Sequence, residues 1–195
     1  MKKLIVIFGC MILWAATGTA QIDPNPDGIG IYADMAGMVN QVQLEEGVPM
    51  EVYLLLTRPS GDQYLGAWEC SIVVPDNITV WGWNLPVAGS LTISTPPSFL
   101  VAHPTIPFQT VNHLLTFIIV PLDSEPAQFY ITRYTGPGGG DEPRYINSHE
   151  SPMDGQELIN LTPYPSGVGE PTFTLNPTVM PVTSVSWGGV KALFH

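Results

Sequence analysis

The stretch DPNPDGIGIYAD, residues 23 to 34, has the residue types of a calcium-binding loop. In such loops, oxygen ligands at fixed positions and a sharp glycine turn surround a hard cation. The residues at positions 1, 3, 5 and 12 of that pattern are Asp23, Asn25, Asp27 and Asp34. Two prolines stiffen the stretch and no helical pattern flanks it, so an acidic N-terminal arm leading into the first strand is the favoured interpretation. Calcium is the one cofactor that the sequence suggests.

The stretch VWGWNLP carries the candidate ligand-binding residues, Trp81 and Trp83. Side chains alternate along a strand, so the two rings are predicted to lie on the same side. Facing outward, they would form a flat platform that stacks on sugar rings. Facing inward, they would belong to the core, which is the favoured alternative because large aromatic side chains are usually mostly buried.

Catalysis by a nucleophile and a base needs a Ser or Cys close to a His that an acid holds in place. The four histidines have no such partner at a telling spacing and are interpreted as surface residues; they are His103, His113, His149 and His195. The sequence also has no H-E-x-x-H pattern and no C-x-x-C pair, which are typical of metal sites. No catalytic residue is predicted, and the chain is not expected to be an enzyme.

The stretch LGAWECSIVVP contains Cys70. Alternation places Cys70 on one face of a strand with Trp68 and Ile72, and places Glu69 on the opposite, outer face. An apolar environment raises the pKa of a thiol and suppresses its reactive thiolate form. Cys70 is therefore predicted to be a core residue and not a nucleophile. The glycine-rich stretch that follows Tyr134 and Thr135, GPGGGDEP, lacks the Lys-Ser/Thr of a phosphate loop and is predicted to be a flexible loop.

Residues 1–20, MKKLIVIFGCMILWAATGTA, have the layout of a secretory signal peptide: two lysines, an apolar run, then small residues. Cleavage is expected after Ala20, with lipoprotein processing at Cys10 as the alternative. The predicted organisation is a signal peptide at 1–20, a β-sandwich domain at 21–177, and a closing strand or tail at 178–195. The chain is expected to be secreted, extracellular or in the cell envelope, including the periplasm. Prolines and charges interrupt every later apolar run, so no membrane span is predicted.

The chain is strongly acidic once the signal peptide is removed. Loss of Lys2 and Lys3 from six basic residues leaves four against seventeen acidic ones, a formal charge of −13. Nucleic acids and anionic membranes are recognised by clustered Lys and Arg, so neither is expected as a partner.

Twenty prolines and nineteen glycines break the chain into short apolar runs rich in β-branched and aromatic residues. Helices tolerate such a distribution poorly, because an interior proline costs about 3 kcal/mol. Short strands separated by turn signals favour an all-β fold, a single antiparallel β-sandwich. The nine predicted strands are 28–33, 50–57, 68–74, 78–83, 90–94, 114–121, 128–133, 157–161 and 172–175.

The run from Gly47 to Thr132 resembles the cohesin-like and carbohydrate-binding-module-like β-sandwiches of secreted bacterial proteins. GVPMEVYLLLT is similar to their early strand, LGAWECSIVVPDNITVWGW to the strand after a loop, in which an aromatic enters the core, and LLTFIIVPLDSEPAQFYIT to the late strand pair. The proline-rich mid-section TPPSFLVAHPTIPF departs from the pattern. The ending SWGGVKALFH resembles the endings of exported proteins of environmental bacteria.

The resemblance implies a non-catalytic, outward-facing module with an immunoglobulin-like or cohesin-like sandwich. The first hypothesis is adhesion, scaffolding or surface binding through contacts with a protein or a glycan at the cell surface. The alternative is a carbohydrate-binding module, or a glycan-active enzyme, that uses Trp81 and Trp83. The exposure of these two rings is the structural observation that separates the two hypotheses.

Overall fold

The computed structural model of this chain describes residues 23–149, 155–165, 167 and 169–178. The described part consists of strands and loops, without a helix. The thirteen strands are β1 Gly28–Tyr32, β2 Gln41–Val42, β3 Met50–Thr57, β4 Tyr64–Val73, β5 Ile78–Asn84, β6 Leu91–Thr92, β7 Ser98–Pro107, β8 Val111–Pro121, β9 Ala127–Thr132, β10 Arg144–Ser148, β11 Gln156–Asn160, β12 Thr162–Pro163 and β13 Phe173–Leu175. The predicted signal peptide and, apart from Thr178, the predicted tail lie outside these residues and stay predictions.

The strands form two sheets. The five-stranded sheet has the order β12-β1-β3-β8-β5. In the eight-stranded sheet, β4 is central: β7 and then β6 lie on one side, and on the other side β10-β11 pair with one half of β4 and β9-β13-β2 with the other. All long pairs are antiparallel, and the two parallel pairs, β1 with β12 and β13 with β2, span two residues each.

The apolar side chains of the two sheets meet in one core. Alternate residues of β3 and β8 face those of β4 and β9, and each of these side chains is almost fully buried. Examples are Leu54, Phe117, Trp68, Cys70 and Phe129. The predicted fold class, an all-β sandwich, is confirmed, with the two short parallel pairs as the departure from a purely antiparallel arrangement.

Two substantial strands are absent from the sequence prediction, β7 and β10. The prolines in the mid-section disfavoured a strand there, because proline cannot donate to a sheet ladder. In the structure, Pro104 lies between Ala102 and Ile106, where the pairing of β7 with β4 shifts register between Leu65 and Ala67. A residue at such an irregularity donates no ladder hydrogen bond, so the proline is tolerated.

Candidate functional site

A row of apolar residues crosses the outer face of the eight-stranded sheet. Each member is the direct cross-strand partner of the next, from β6 through β7, β4 and β10 to β11. The row, which we call the outer row, consists of Leu91, Ala102, Ala67, Ile146 and Leu158. With strands about 4.8 Å apart, these five strands give it a length of roughly 19 Å.

The outer row faces away from the core. The neighbouring residues Trp68, Val101 and Tyr145 point inward and are almost fully buried. By alternation the outer row must point the opposite way. Its two ends, Leu91 and Leu158, are 68% and 55% exposed, and its three middle members are half-buried. A contiguous apolar strip on a sheet surface is typical of a surface that contacts another molecule.

Sequence reasoning missed the outer row. Three of its members, Leu91, Ala67 and Leu158, lie in strands that the sequence predicts at least in part. Ala102 and Ile146 lie in β7 and β10, which the sequence does not predict. Without β7 and β10, the apolar positions of β4 and β11 have no common row. The aromatic and β-branched pair Tyr145 and Ile146, directly after the glycine- and proline-rich loop, is a signal in the sequence that could have indicated β10.

The neighbouring row of the same face carries a buried ion pair. Arg144 Nε donates to Glu69 Oε1 at 2.6 Å, and the Gly140 backbone N–H donates to the same oxygen at 3.0 Å. Arg144 also donates through Nη2 to the carbonyl of Gly138 at 2.9 Å. Glu69 does lie on the outer face as predicted, but it is only 5% exposed because the glycine-rich loop covers it. These hydrogen bonds hold the loop on the sheet. The structure therefore corrects the prediction that this stretch is simply a flexible loop.

Ser90 and His103 are in hydrogen-bond contact, although the sequence patterns did not indicate a partner for this histidine. Ser90 Oγ lies 2.6 Å from His103 Nδ1, and Trp68 Nε1 donates to His103 Nε2 at 2.7 Å. Leu91 pairs with Ala102, so Ser90 and His103 are the next pair along the same hairpin. The hairpin register would have predicted this contact, had β7 been recognised.

This Ser–His pair is not arranged for nucleophilic catalysis. Indole N–H is a donor only, so the lone pair of His103 Nε2 is occupied by Trp68 and the ring proton resides on Nδ1. Nδ1 then donates to Ser90 Oγ, whereas a general base would have to accept the serine proton. Burial lowers the pKa of His103 to about 4, which keeps the ring in this neutral form at pH 7.

The two candidate tryptophans of β5 have different surroundings. Trp83 packs on the core, with its ring centroid 4.7 Å from that of Phe117, whereas Trp81 is 55% exposed. The pairing of β5 with β8 shifts register between Trp81 and Asn84, where Gly82 has a φ of +63°. One extra residue in a strand reverses the alternation beyond it. The expected placement of both rings on one side is therefore not observed, and a ligand-binding role of Trp81 and Trp83 stays a prediction.

Two residues of the proposed calcium loop, Asp34 and Asp27, have separate partners. Asp34 Oδ1 accepts the backbone N–H groups of Met38 and Val39 at 2.9 and 2.8 Å. Asp27 accepts hydrogen bonds from the Tyr145 hydroxyl and from the backbone N–H and hydroxyl of Ser60, each at 2.7 Å.

The other two residues of that loop lie at opposite extremes of burial. Asn25 is exposed, and its backbone N–H donates to Asp23 Oδ1 at 2.9 Å; Asp23 itself is fully buried. Among the described residues, no three His, Cys, Asp or Glu side chains converge as metal ligands would. Calcium binding by Asp23, Asn25, Asp27 and Asp34 stays a prediction.

A surface depression in the described part of the chain has a volume of about 590 Å³. It is lined by Pro26, Arg58, Pro59, Ser60, Phe108, Gln109 and Thr110. None of these is a carboxylate, a histidine or a cysteine, so the depression itself supplies no side chain of the types that commonly act as general bases.

No helix among the described residues is long and apolar enough to cross a membrane.

No protein-family model and no curated protein matches this sequence. Among solved structures, the chain is similar to a cohesin module from the family 33 glycoside hydrolase of Clostridium perfringens ATCC13124, with 13% identity and a TM-score of 0.44 over 70% of this chain and 96% of that one. It is also similar to the third ScaB cohesin of R. flavefaciens, solved in complex with a group 1 dockerin. The identity there is 12% and the TM-score 0.43, over 76% of this chain and 99% of that one.

Proposed function

We propose that this chain is a secreted or cell-envelope module that binds a partner protein through the outer row, without catalysis. The observation that carries the proposal is the alignment of five apolar residues on one exposed sheet face. Isolated exposed apolar side chains are normal on any protein, but a row that is continuous across five strands buries a strip of apolar surface when it is covered.

The charges around the outer row indicate the chemistry of the partner. Asp141 and Glu142, in the loop that covers Glu69 next to the row, are exposed. Arg144, the basic residue closest to the row along the chain, is already paired with Glu69. A partner that presents an apolar ridge flanked by Lys or Arg would complement this surface, and electrostatic complementarity favours association and specificity.

The proposal is tested with the mature protein, residues 21–195, immobilised and exposed to proteins secreted by the source organism. Two variants, Ile146→Lys and Leu158→Lys, place a charge in the middle and at one end of the outer row. Captured proteins are identified by mass spectrometry, and the affinity of each is measured for wild type and variants. We expect at least about a tenfold loss of affinity with Ile146→Lys, since burying an unpaired charge at an interface costs more than about 1.4 kcal/mol.

The matched control is Leu122→Lys. Leu122 is 54% exposed, close to the 55% of Leu158, but follows β8 in the other sheet. Capture must be retained by this variant and lost by the two outer-row variants, with all three folded by circular dichroism. Equal binding by wild type and Ile146→Lys would refute the proposal.

Glycan binding is a second candidate, favoured by the exposure of Trp81. A single exposed indole can stack on a sugar ring, although Trp83 packs on the core and does not extend the surface. Glycan-array screening of wild type and Trp81→Ala separates the two candidates. A glycan signal that Trp81→Ala abolishes and Ile146→Lys leaves unchanged would favour this second function.

A further inference from the structure

Three buried oxygen atoms on the outer side of β1 have no hydrogen-bond partner within the part of the chain that the structure describes. They are Asp23 Oδ2, Thr57 Oγ1 and Tyr32 Oη, and each belongs to a residue that is at most 1% exposed. A buried polar group without a partner destabilises the fold, and more so when it is charged. Three such groups in one region therefore point to a bound molecule that completes their hydrogen bonds.

Two glycines of β1 make room for this polar group of side chains. A Cβ at Gly28 would lie 2.0 Å from Asp23 Oδ2 and 2.4 Å from Thr57 Oγ1, so both oxygens lie close to the same point. A Cβ at Gly30 would lie 2.8 Å from Tyr32 Oη, because the tyrosine ring folds back along the strand. Gly28 and Gly30 are on the same face of β1 by alternation. The GIG sequence thus leaves space for polar side chains outside the sheet.

The hydrogen-bonding capacity of the three oxygens identifies the chemical class of the occupant. A carboxylate only accepts, whereas the hydroxyls of Thr57 and Tyr32 each have a proton to donate. A metal ion would take lone pairs and leave both hydroxyl protons without acceptors. Water has two protons and two lone pairs, so it can donate to Asp23 Oδ2 and accept from the hydroxyls.

We propose that this pocket is an internal hydration site, in which at least one water molecule links Asp23 to Thr57 and Tyr32. The bound water attaches the N-terminal segment, through Asp23, to the ends of β1 and β3. Buried waters of this kind typically make about three hydrogen bonds and are costly to remove. Burial raises the pKa of Asp23, whereas the nearby positive charge of Arg58 opposes that shift.

The test compares the mature wild-type protein with Thr57→Val, which keeps the side-chain shape and removes one hydroxyl. The ¹⁷O magnetic relaxation dispersion of the solution reports long-lived internal water, and we expect its amplitude to fall in the variant. The melting temperature should fall by about 2–4 °C, which corresponds to roughly 1 kcal/mol for a domain of this size. Thr110→Val, at an exposed position, is the control and should change neither quantity.

Three results would overturn the proposal. Equal relaxation amplitudes in wild type and Thr57→Val would show that no long-lived water is held by this hydroxyl. A melting temperature that rises by several degrees with calcium or sodium chloride, but not with choline chloride, would identify a metal ion instead. Should Thr57→Val fail to fold, Tyr32→Phe provides the same comparison, and an unchanged amplitude in that variant would also refute the hydration site.

Discussion

The two faces of β4 are built from one alternating sequence, yet they are covered in different ways. On the inner face, Trp68, Cys70 and Ile72 are covered by the opposite sheet and are at most 1% exposed. On the outer face, Glu69 is covered by a loop and Ala67 is half-buried within the outer row. Alternation determines which face a side chain joins, and the rest of the chain determines whether that face meets solvent.

The largest expected difference between the two faces is chemical access to Cys70. The thiol is fully buried, and burial raises its pKa. Labelling of a core thiol requires opening of the fold, so with a stability of 5 kcal/mol or more we expect native labelling to be slower than in urea by at least about a thousandfold. Absorbance after addition of a chromogenic disulfide reagent measures both rates. Rapid labelling in the native protein would contradict the core position.

The second difference is how much side chains on the inner and outer faces contribute to the free energy of unfolding. Trp68→Ala removes a buried indole and the N–H donor to His103, and should lower the free energy of unfolding by about 3–5 kcal/mol. Leu158→Ala, at the exposed end of the outer row, should change it by less than about 0.5 kcal/mol. Urea unfolding followed by circular dichroism measures both. A similar loss for the two variants would mean that the outer row is structural.

The ion pair on the outer face should contribute more than an ordinary surface pair. The side chains of Glu69 and Arg144 are 7% and 22% exposed, so Glu69→Gln leaves a largely buried guanidinium without its counter-charge. We expect a loss of about 1–3 kcal/mol in the free energy of unfolding. Asp141→Asn, which removes an exposed partner 3.5 Å from Arg133, is the control and should have no measurable effect. Equal effects would show that the glycine-rich loop does not shield Glu69.

A smaller effect is expected from His103, which links Trp68 to Ser90 through its two ring nitrogens. Its pKa of about 4 in the folded protein lies below the ordinary value of 6.5. Between these values the unfolded chain binds a proton that the folded protein does not, so stability falls as the pH is lowered through this window and is unaffected above it. The free energy of unfolding should therefore depend less steeply on pH in His103→Gln than in wild type. Parallel pH profiles would refute this assignment.

Local sequence patterns predicted much of the sandwich. The apolar MEVYLLLT run, which ends just before the turn residues that begin at Pro59, predicts a strand at 50–57, and these are the observed bounds of β3. The position of Cys70 beside Trp68 also follows from alternation alone and is confirmed. The predictions fail where a local rule is overridden: at the register shift that contains Pro104 in β7, and at Gly82, where the bulge separates Trp81 from Trp83. A bulge depends on how two distant strands pair, which single-strand patterns do not contain.

The all-β class, the inward face of the main strands and the burial of the thiol all follow from local sequence. Each depends on the types and period-two spacing of residues within one strand. Which outward residues become neighbours depends instead on how distant strands pair. The outer row joins residues from five strands, the Ser90–His103 contact needs a hairpin register, and the polar pocket beside Gly28 needs Asp23 and Thr57 to converge. Such contacts arise from pairing between distant segments, where the free energy of the whole fold selects the register.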